Sequence, residues 1–388
     1  MKKTVLYTAL IGTLLSVTQA NAVEFDGFLS AGLAVSDDDN LTYLNGITND
    51  VSFDNDSKFG LQITADVSEN MQGVAQILAS GNDQNYNLDA QWAYLDYKMS
   101  DNFSLRMGKV KEPVFLISDY FEVGYAYPWI RPPQEVYLNN PINTIVGMQG
   151  FLTTDIGGFS LNFLPYLGTN TDDVPGTNGA AQFNAENFYG GAIQLLSPAF
   201  TIQASYLKTD VSTSGLLPTA FTIGVNGLTT IEYSNVASQG TAKLASFGMS
   251  WDIANFVGYA EYVTRDIQPD TTFAGAPMDF LFPDQDAWYV TLGYRIGKFL
   301  PHVTSAHVES TPAGTTAAGA NQGATQDSVT LGLRYELNDS AALKIEYEQV
   351  TIDDTIPGNF GLLQPDPTQA GAIPKDLAVI SVAVDVIF

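Results

Sequence analysis

The stretch Phe59-Gly60-Leu61-Gln62-Ile63-Thr64-Ala65-Asp66-Val67 puts an apolar side chain or alanine at every odd position and a small or polar one at every even position. A period of two is the period of a β-strand with one apolar face and one wet face. The pattern returns at 328–337, where Val329, Leu331, Leu333, Tyr335 and Leu337 oppose Thr330, Gly332, Arg334 and Glu336. Trp288, Val290, Leu292, Tyr294 and Ile296 form a third such face, opposite Thr291, Gly293 and Arg295. Segments of about ten residues with this alternation are long enough to cross a bilayer as tilted strands.

Working outward, the segments come in pairs joined by short turns. Such turns lie at Ser68-Glu69-Asn70, Ser100-Asp101-Asn102, Asp155 to Gly158, Ser197-Pro198-Ala199, Asp252 to Asn255, Gly297-Lys298 and Asn338-Asp339-Ser340. Between the pairs run long connections rich in Asp, Asn, Thr, Gly and Pro, such as 36–57, 168–185, 266–286 and 309–326. Short turns alternating with long loops are the pattern of an outer-membrane barrel. Five of the short turns are followed by phenylalanine: Phe103, Phe159, Phe200, Phe256 and Phe299. These rings would share one height and form a periplasmic aromatic girdle. The expected fold is all-β: a transmembrane antiparallel β-barrel of about 16 strands. Within 209–241, the run from Phe221 to Tyr233 around Asn226-Gly227 reads as an extramembranous hairpin, with 18 strands as the alternative.

Composition and the amino terminus agree. Lys2 and Lys3 precede an uncharged apolar run from Val5 to Val17, and Ala20-Asn21-Ala22 is a small-x-small cleavage site. Residues 1–22 therefore read as a signal peptide and 23–388 as a single barrel domain. No other run approaches the length of a membrane helix, so a membrane-embedded mature chain must close a barrel. The formal net charge of −26 becomes −28 once Lys2 and Lys3 are removed, which disfavours nucleic acid as a partner. With aromatics at 12% and hydrophobics at 45%, the acidity is not that of a disordered chain. Cysteine is absent from the sequence, which excludes disulfides and thiolate metal sites.

The last strand alternates through Ala378, Ile380, Val382, Val384, Val386 and Phe388, the final residue. With the signal peptide and the hairpins, this ending resembles the general outer-membrane porins of Gram-negative bacteria. The resemblance implies a cell outer-membrane location, a homotrimer, contact with lipopolysaccharide, and recognition of the Phe388 strand by the barrel-assembly machinery. It also implies that the third long loop folds into the lumen as a constriction. That loop is 113–143, carrying Phe115, Tyr120, Phe121, Tyr125, Tyr127, Trp129 and Tyr137, with Pro128, Pro132, Pro133 and Pro141. The Pro-Glu-Phe-Gly-Gly segment common in this loop of general porins is not found here. The alternative placement is an aromatic cap outside the barrel.

Candidate constriction and lumen charges are Asp119, Glu122, Arg131 and Glu135 in the loop, and Arg106, Lys109, Arg265, Arg295, Arg334 and Lys344 on strands. On a lipid face each strand charge would cost roughly 2–4 kcal/mol near mid-membrane, so the wet face is expected for them. Lys109 shares the parity of Met107, so it reaches the lumen only if a bulge or the strand end intervenes. Opposed acids and bases would impose a transverse field on passing solutes, a selection that needs no cofactor. The expected function is passive diffusion of small hydrophilic solutes and ions. Alternatives are a substrate-specific channel for sugar or anion, an adhesin-like structural barrel, and an outer-membrane barrel enzyme using His302 or His307. Those two histidines lie five apart on a strand, facing opposite sides, and make a poor metal pair. The acidic run Asp37-Asp38-Asp39-Asn40, with Asp50, Asp54 and Asp56, reads as a solvated rim rather than a calcium loop.

Overall fold

In lipid, strands with one apolar face must satisfy every backbone group by pairing, so the sheet has to close on itself. It does so here. A computed structural model describes residues 23–38, 41–44, 46–81, 86–140, 142–173, 181–223, 229–269, 272–273, 276–277, 283–310, 315–316, 319–320, 324–352, 363–365 and 376–388. The expected signal peptide lies outside the described residues. The wall strands are β1 (Val23–Ser36), β2 (Lys58–Ser68), β3 (Met71–Ser80), β4 (Leu88–Ser100), β5 (Phe103–Lys111), β6 (Thr144–Ile156), β7 (Phe159–Asp173) and β8 (Ala181–Leu196). They continue as β9 (Phe200–Ile223), β10 (Thr229–Ile253), β11 (Phe256–Pro269), β12 (Gln285–Tyr294), β13 (Phe299–Ser310), β14 (Ala324–Asn338), β15 (Ala341–Ile352) and β16 (Asp376–Ile387). Each pairs antiparallel with its sequence neighbours, and β1 closes on β16 from Phe28 opposite Ile387 to Ser36 opposite Val379.

The register shows why the barrel holds two environments. One row around the outer wall runs Ile380, Tyr347, Leu331, Val303, Leu292, each opposite the next and each more than a third exposed. One residue along, the inner row runs Ser381, Glu346, Gly332, His302, Gly293. A side chain on Gly332 would collide with the His302 ring, so this glycine makes room for an inward imidazole. His307 has the opposite parity and pairs with Asp327 at 2.8 Å. The five phenylalanines open β5, β7, β9, β11 and β13 directly after the short turns. Phe159 contacts Phe200, while Phe256 and Phe299 contact Tyr294 and Tyr335, so tyrosines complete that ring belt.

One expectation is corrected. The segment 209–241 is not a loop holding a separate hairpin. β9 and β10 continue as paired strands from Thr209 opposite Ala242 to Ile223 opposite Thr229, with one irregularity between Pro218 and Ala220. The Thr-Asp-Ser-Gly composition of 209–215 reads as loop, but backbone pairing extends through it because both strands continue in register. The barrel therefore has 16 strands. Asn226-Gly227 lies outside the described residues.

At the long-loop end, the first loop tucks inward. Tyr43 and Ile47 are fully buried in a cluster with Ala34, Val350, Leu377 and Val379. Leu41–Tyr43 pairs with Leu363–Pro365, joining the first and last long loops. Asp56, read from sequence as part of an open acidic rim, is buried.

Candidate functional site

The connection between β5 and β6 runs through the barrel interior. A chain packed against the inner wall buries backbone groups and must find partners for those carbonyls and amides. The wall supplies them. On the first leg, the Val114 carbonyl accepts from Gln203 at 3.1 Å, Ser205 at 2.6 Å and Ser246 at 2.9 Å. The Leu116 amide donates to Glu261 Oε1 at 2.9 Å. Midway, Lys344 Nζ donates to the carbonyls of Gly124 and Trp129 at 2.6 and 2.5 Å and pairs with Asp385 at 2.8 Å. Arg334 Nη1 donates to the carbonyls of Tyr125 and Tyr127 at 2.6 and 2.8 Å, and its Nε to Glu336 at 2.7 Å. On the last leg, Arg265 Nη1 donates to the Asn139 carbonyl at 2.8 Å.

The rings seen in the sequence anchor the same path. Trp129 is 1% exposed, and its indole N–H is shared by Thr291 Oγ1 and Thr304 Oγ1, both at 3.0 Å. Its ring meets Tyr259 at 4.7 Å and Tyr289 edge-on at 5.6 Å. Tyr137 donates to Glu261 Oε2 at 2.9 Å and packs on Phe115 and Phe121. The placement is thus against the inner wall, not as a cap above the barrel.

The loop's own charges divide into two groups. Arg131 grips Asp56 at 2.6 Å and Ser381 at 2.5 Å, with Glu348 at 3.9 Å, tying the third loop to the first loop and to β15 and β16. Glu135 is 1% exposed and takes one bond from Gln326 at 2.9 Å. Burial pushes its carboxyl above the usual glutamate range. Glu122 pairs with Lys58 at 3.1 Å; burial opposes its charge, but Lys58 and Lys111 outweigh that and hold it below the usual range. Asp119 is exposed to the lumen. On the wall it faces electrostatically, Arg106 bonds Asp96 at 3.0 Å and Gln149 at 3.3 Å, over the ring of Tyr94.

Two strand cations bond the wall rather than the loop. Arg295 forms a forked pair with Asp252 at 2.9 and 3.0 Å. It lines a cavity of about 410 Å³ at the short-turn end, one side of which is formed by Tyr125, Tyr127 and Pro128. Lys109 pairs with Ala93 and Val146, but Gly108 before it stands at φ +136° and both Val110 and Lys111 after it are buried, so strict alternation ends here; its side chain lines a polar cavity with Ser80, Asp89, Thr144 and Asn170. Its amine bonds the Ala90 carbonyl at 2.7 Å and lies 4.0 Å from Asp89. Sequence reading missed Lys58, Lys111, Glu261 and Asp385. Parity marks Lys58, Glu261 and Asp385 as inward; only the loop's path says that they meet it.

A closed antiparallel barrel with an apolar outer wall and a charged, loop-crossed interior defines a membrane channel of the outer-membrane type. The chain belongs to the Gram-negative porin family, whose sequence profile matches residues 8–355. It is an outer-membrane protein. Among solved structures it is similar to in-vitro folded OmpT, an outer membrane protein of Vibrio cholerae, at 13% identity and a TM-score of 0.60, covering 96% of this chain and 99% of that one. An anion-selective porin from Comamonas acidovorans matches at 13% identity, 95% and 100% coverage and a TM-score of 0.57. The outer membrane channel DcaP of Acinetobacter baumannii matches at 12% identity, 96% and 99% coverage and a TM-score of 0.54. These likenesses are of fold. No curated protein sequence matches the chain.

Proposed function

We propose that this protein is a general-diffusion porin, a water-filled channel through which small hydrophilic solutes and ions pass passively, with no enzymatic step and no cofactor. The observation that carries this reading is the segment 113–143, tied by side chains from the second and the ninth to sixteenth strands while Asp119 stays exposed. That segment is the constriction. Asp119 and Glu122 are its acids and Arg106, Lys58 and Lys111 its bases, with Glu122 and Lys58 already paired. Arg131, Glu135, Arg265, Arg334 and Lys344 hold the constriction in place.

In the same reading the short turns face the periplasm, with Phe103, Phe159, Phe200, Phe256 and Phe299 as the girdle there, and the long acidic loops face lipopolysaccharide. Residues 1–22 are removed on export, Phe388 is read by the assembly machinery, and three copies pack through the small outward side chains around Gly73, Ala75 and Ala79. Planar-bilayer recording of the purified protein under a salt gradient tests the function. Stepwise ohmic conductance with a weak ion preference is expected; insertion without conductance would refute a diffusion channel.

A further inference from the structure

On the short-turn side of the crossing loop lies the cavity of about 410 Å³ that Arg295 lines. Small-molecule sites fall in the range of about 300–1,000 Å³. The charges of this cavity come already paired. Arg295 forks onto Asp252 at 3.0 and 2.9 Å, and Arg334 bonds Glu336 at 2.7 Å. Two arginines against two acids leave the lining without net charge. The Arg295 and Asp252 side chains are 40% and 52% exposed, so their pairing adds little to stability. Each guanidinium keeps donors in reserve. The fork leaves Arg295 its Nε–H and one N–H on each terminal nitrogen, and the bonds of Arg334 leave both N–H groups of Nη2. Rings and hydroxyls complete the lining. The Tyr125 ring lies under the Arg334 guanidinium at 4.7 Å and its hydroxyl donates to Glu336 at 3.4 Å. The Tyr259 ring is backed by Trp129 at 4.7 Å. Both tyrosines line the cavity and both are partly exposed. Thr201, Ser250 and Tyr259 stand opposite one another on β9, β10 and β11 and bring hydroxyls to the same wall.

We propose that this cavity is a binding subsite for neutral polyhydroxylated solutes, mono- and disaccharides, on the short-turn side of the constriction. A sugar hydroxyl both donates and accepts, so it bonds beside an intact arginine–carboxylate pair, using the spare N–H groups and lone pairs. A lone carboxylate on the same N–H groups would meet the fields of Asp252 and Glu336, and a lone ammonium those of the arginines. The apolar C–H faces of the sugar ring lie on the tyrosines. The subsite deepens the channel reading and rests on it, since solutes reach it through the lumen. It adds to simple diffusion a weak stop for sugars, from which they still leave.

The test uses the full-length purified protein in planar bilayers. Conductance in potassium chloride is recorded first, so a failed channel reading shows itself before any probe is added. Maltose, the zwitterion glycylglycine and the polyether tetraethylene glycol are then titrated on both sides, with currents corrected for the bulk conductivity of each solution. Wild type is compared with the double variant Arg295→Gln with Asp252→Asn, which keeps the shape and neutrality of the pair and removes its charges. The expected result is a saturable partial block by maltose whose half-blocking concentration rises about tenfold in the variant, as loss of a charge-assisted hydrogen bond implies. The other two probes should show no saturable block. The three probes on wild type decide by themselves should the variant fail to insert. A block by tetraethylene glycol equal to that by maltose would reveal obstruction by size alone, and a stronger block by glycylglycine would assign the cavity to zwitterions. Either result overturns the proposal, as does the absence of a saturable maltose block or a maltose block unchanged in the variant.

Discussion

Trp129 illustrates how a single residue can hold a long segment in place. Its indole N–H meets two threonines on neighbouring strands and its ring meets two tyrosines. Trp129→Phe keeps most of the ring and leaves the threonines to bond each other, as they already do at 2.8 Å. It should lower stability by only about 1 kcal/mol, read as a shift in the urea midpoint. Trp129→Ala should cost about 3–5 kcal/mol and raise current noise as the loop loosens. Glu135 makes a pH prediction. Burial raises its carboxyl value in the folded state, so its contribution to stability is fully present below the unfolded value and is lost as pH rises through the folded value. Glu135→Gln mimics the protonated acid. Its melting temperature should match wild type near pH 4 and exceed it increasingly towards alkaline pH. A difference that grows on acidification would show that the carboxylate is held charged.

At the scale of elements, the crossing loop and the strands beneath it are one device. Lys344, Arg334 and Arg265 were expected from their parity to line the pore. Parity is correct for all three, yet their N–H groups go to loop carbonyls. Charge counted along the strands therefore overstates the basic character that a solute meets. Deleting Phe121 to Trp129 removes the carbonyl partners of Lys344 and Arg334 as well as the obstruction. Single-channel conductance should rise at least about twofold, and larger sugars should enter liposomes in swelling assays, as widening of a pore-lining constriction implies. Unchanged conductance would mean that the narrowest point lies elsewhere. The segment 209–241 teaches a related lesson. Polar and small residues in 209–215 carry no apolar alternation, but the register set between β9 and β10 extends through them, with Thr209, Val211 and Thr213 turned inward and buried and Asp210 bonded to Thr241 across the pair.

For the whole molecule, ion preference follows the potential along the pore rather than the chain's total charge. The loop-bound cations neutralise carbonyl dipoles, Arg106 is held by Asp96, and Asp119 remains open to water. With acidic outer loops at the mouth, potassium should be preferred over chloride at low salt. The preference should weaken as ionic strength rises and the screening length falls to about 8 Å at 0.15 M. Reversal potentials across several salt concentrations measure it, and firm anion preference at low salt would place the basic wall at the narrowest point. Assembly is read from mass in mild detergent, where three copies are expected and a clean monomer would count against the small-residue face as a contact.

Alternation along Phe59–Val67 and Ala378–Phe388, the short turns and the phenylalanines after them determined by themselves that this chain is a barrel of 16 or 18 strands and which face of the regular strands turns inward; the register of 209–241 decided for 16. Period two is a local property of the backbone, and a closed sheet in lipid leaves almost no freedom once the strands are counted. The sequence also marked 113–143 as the odd loop, because seven rings do not stay in water. What only the tertiary structure decided is which partner each inward charge takes. Arg131 reaches Asp56 across 75 residues and Lys344 reaches Gly124 across 220. Those meetings depend on the path of a loop with no periodicity of its own, and electrostatic pairing acts through space rather than along the chain.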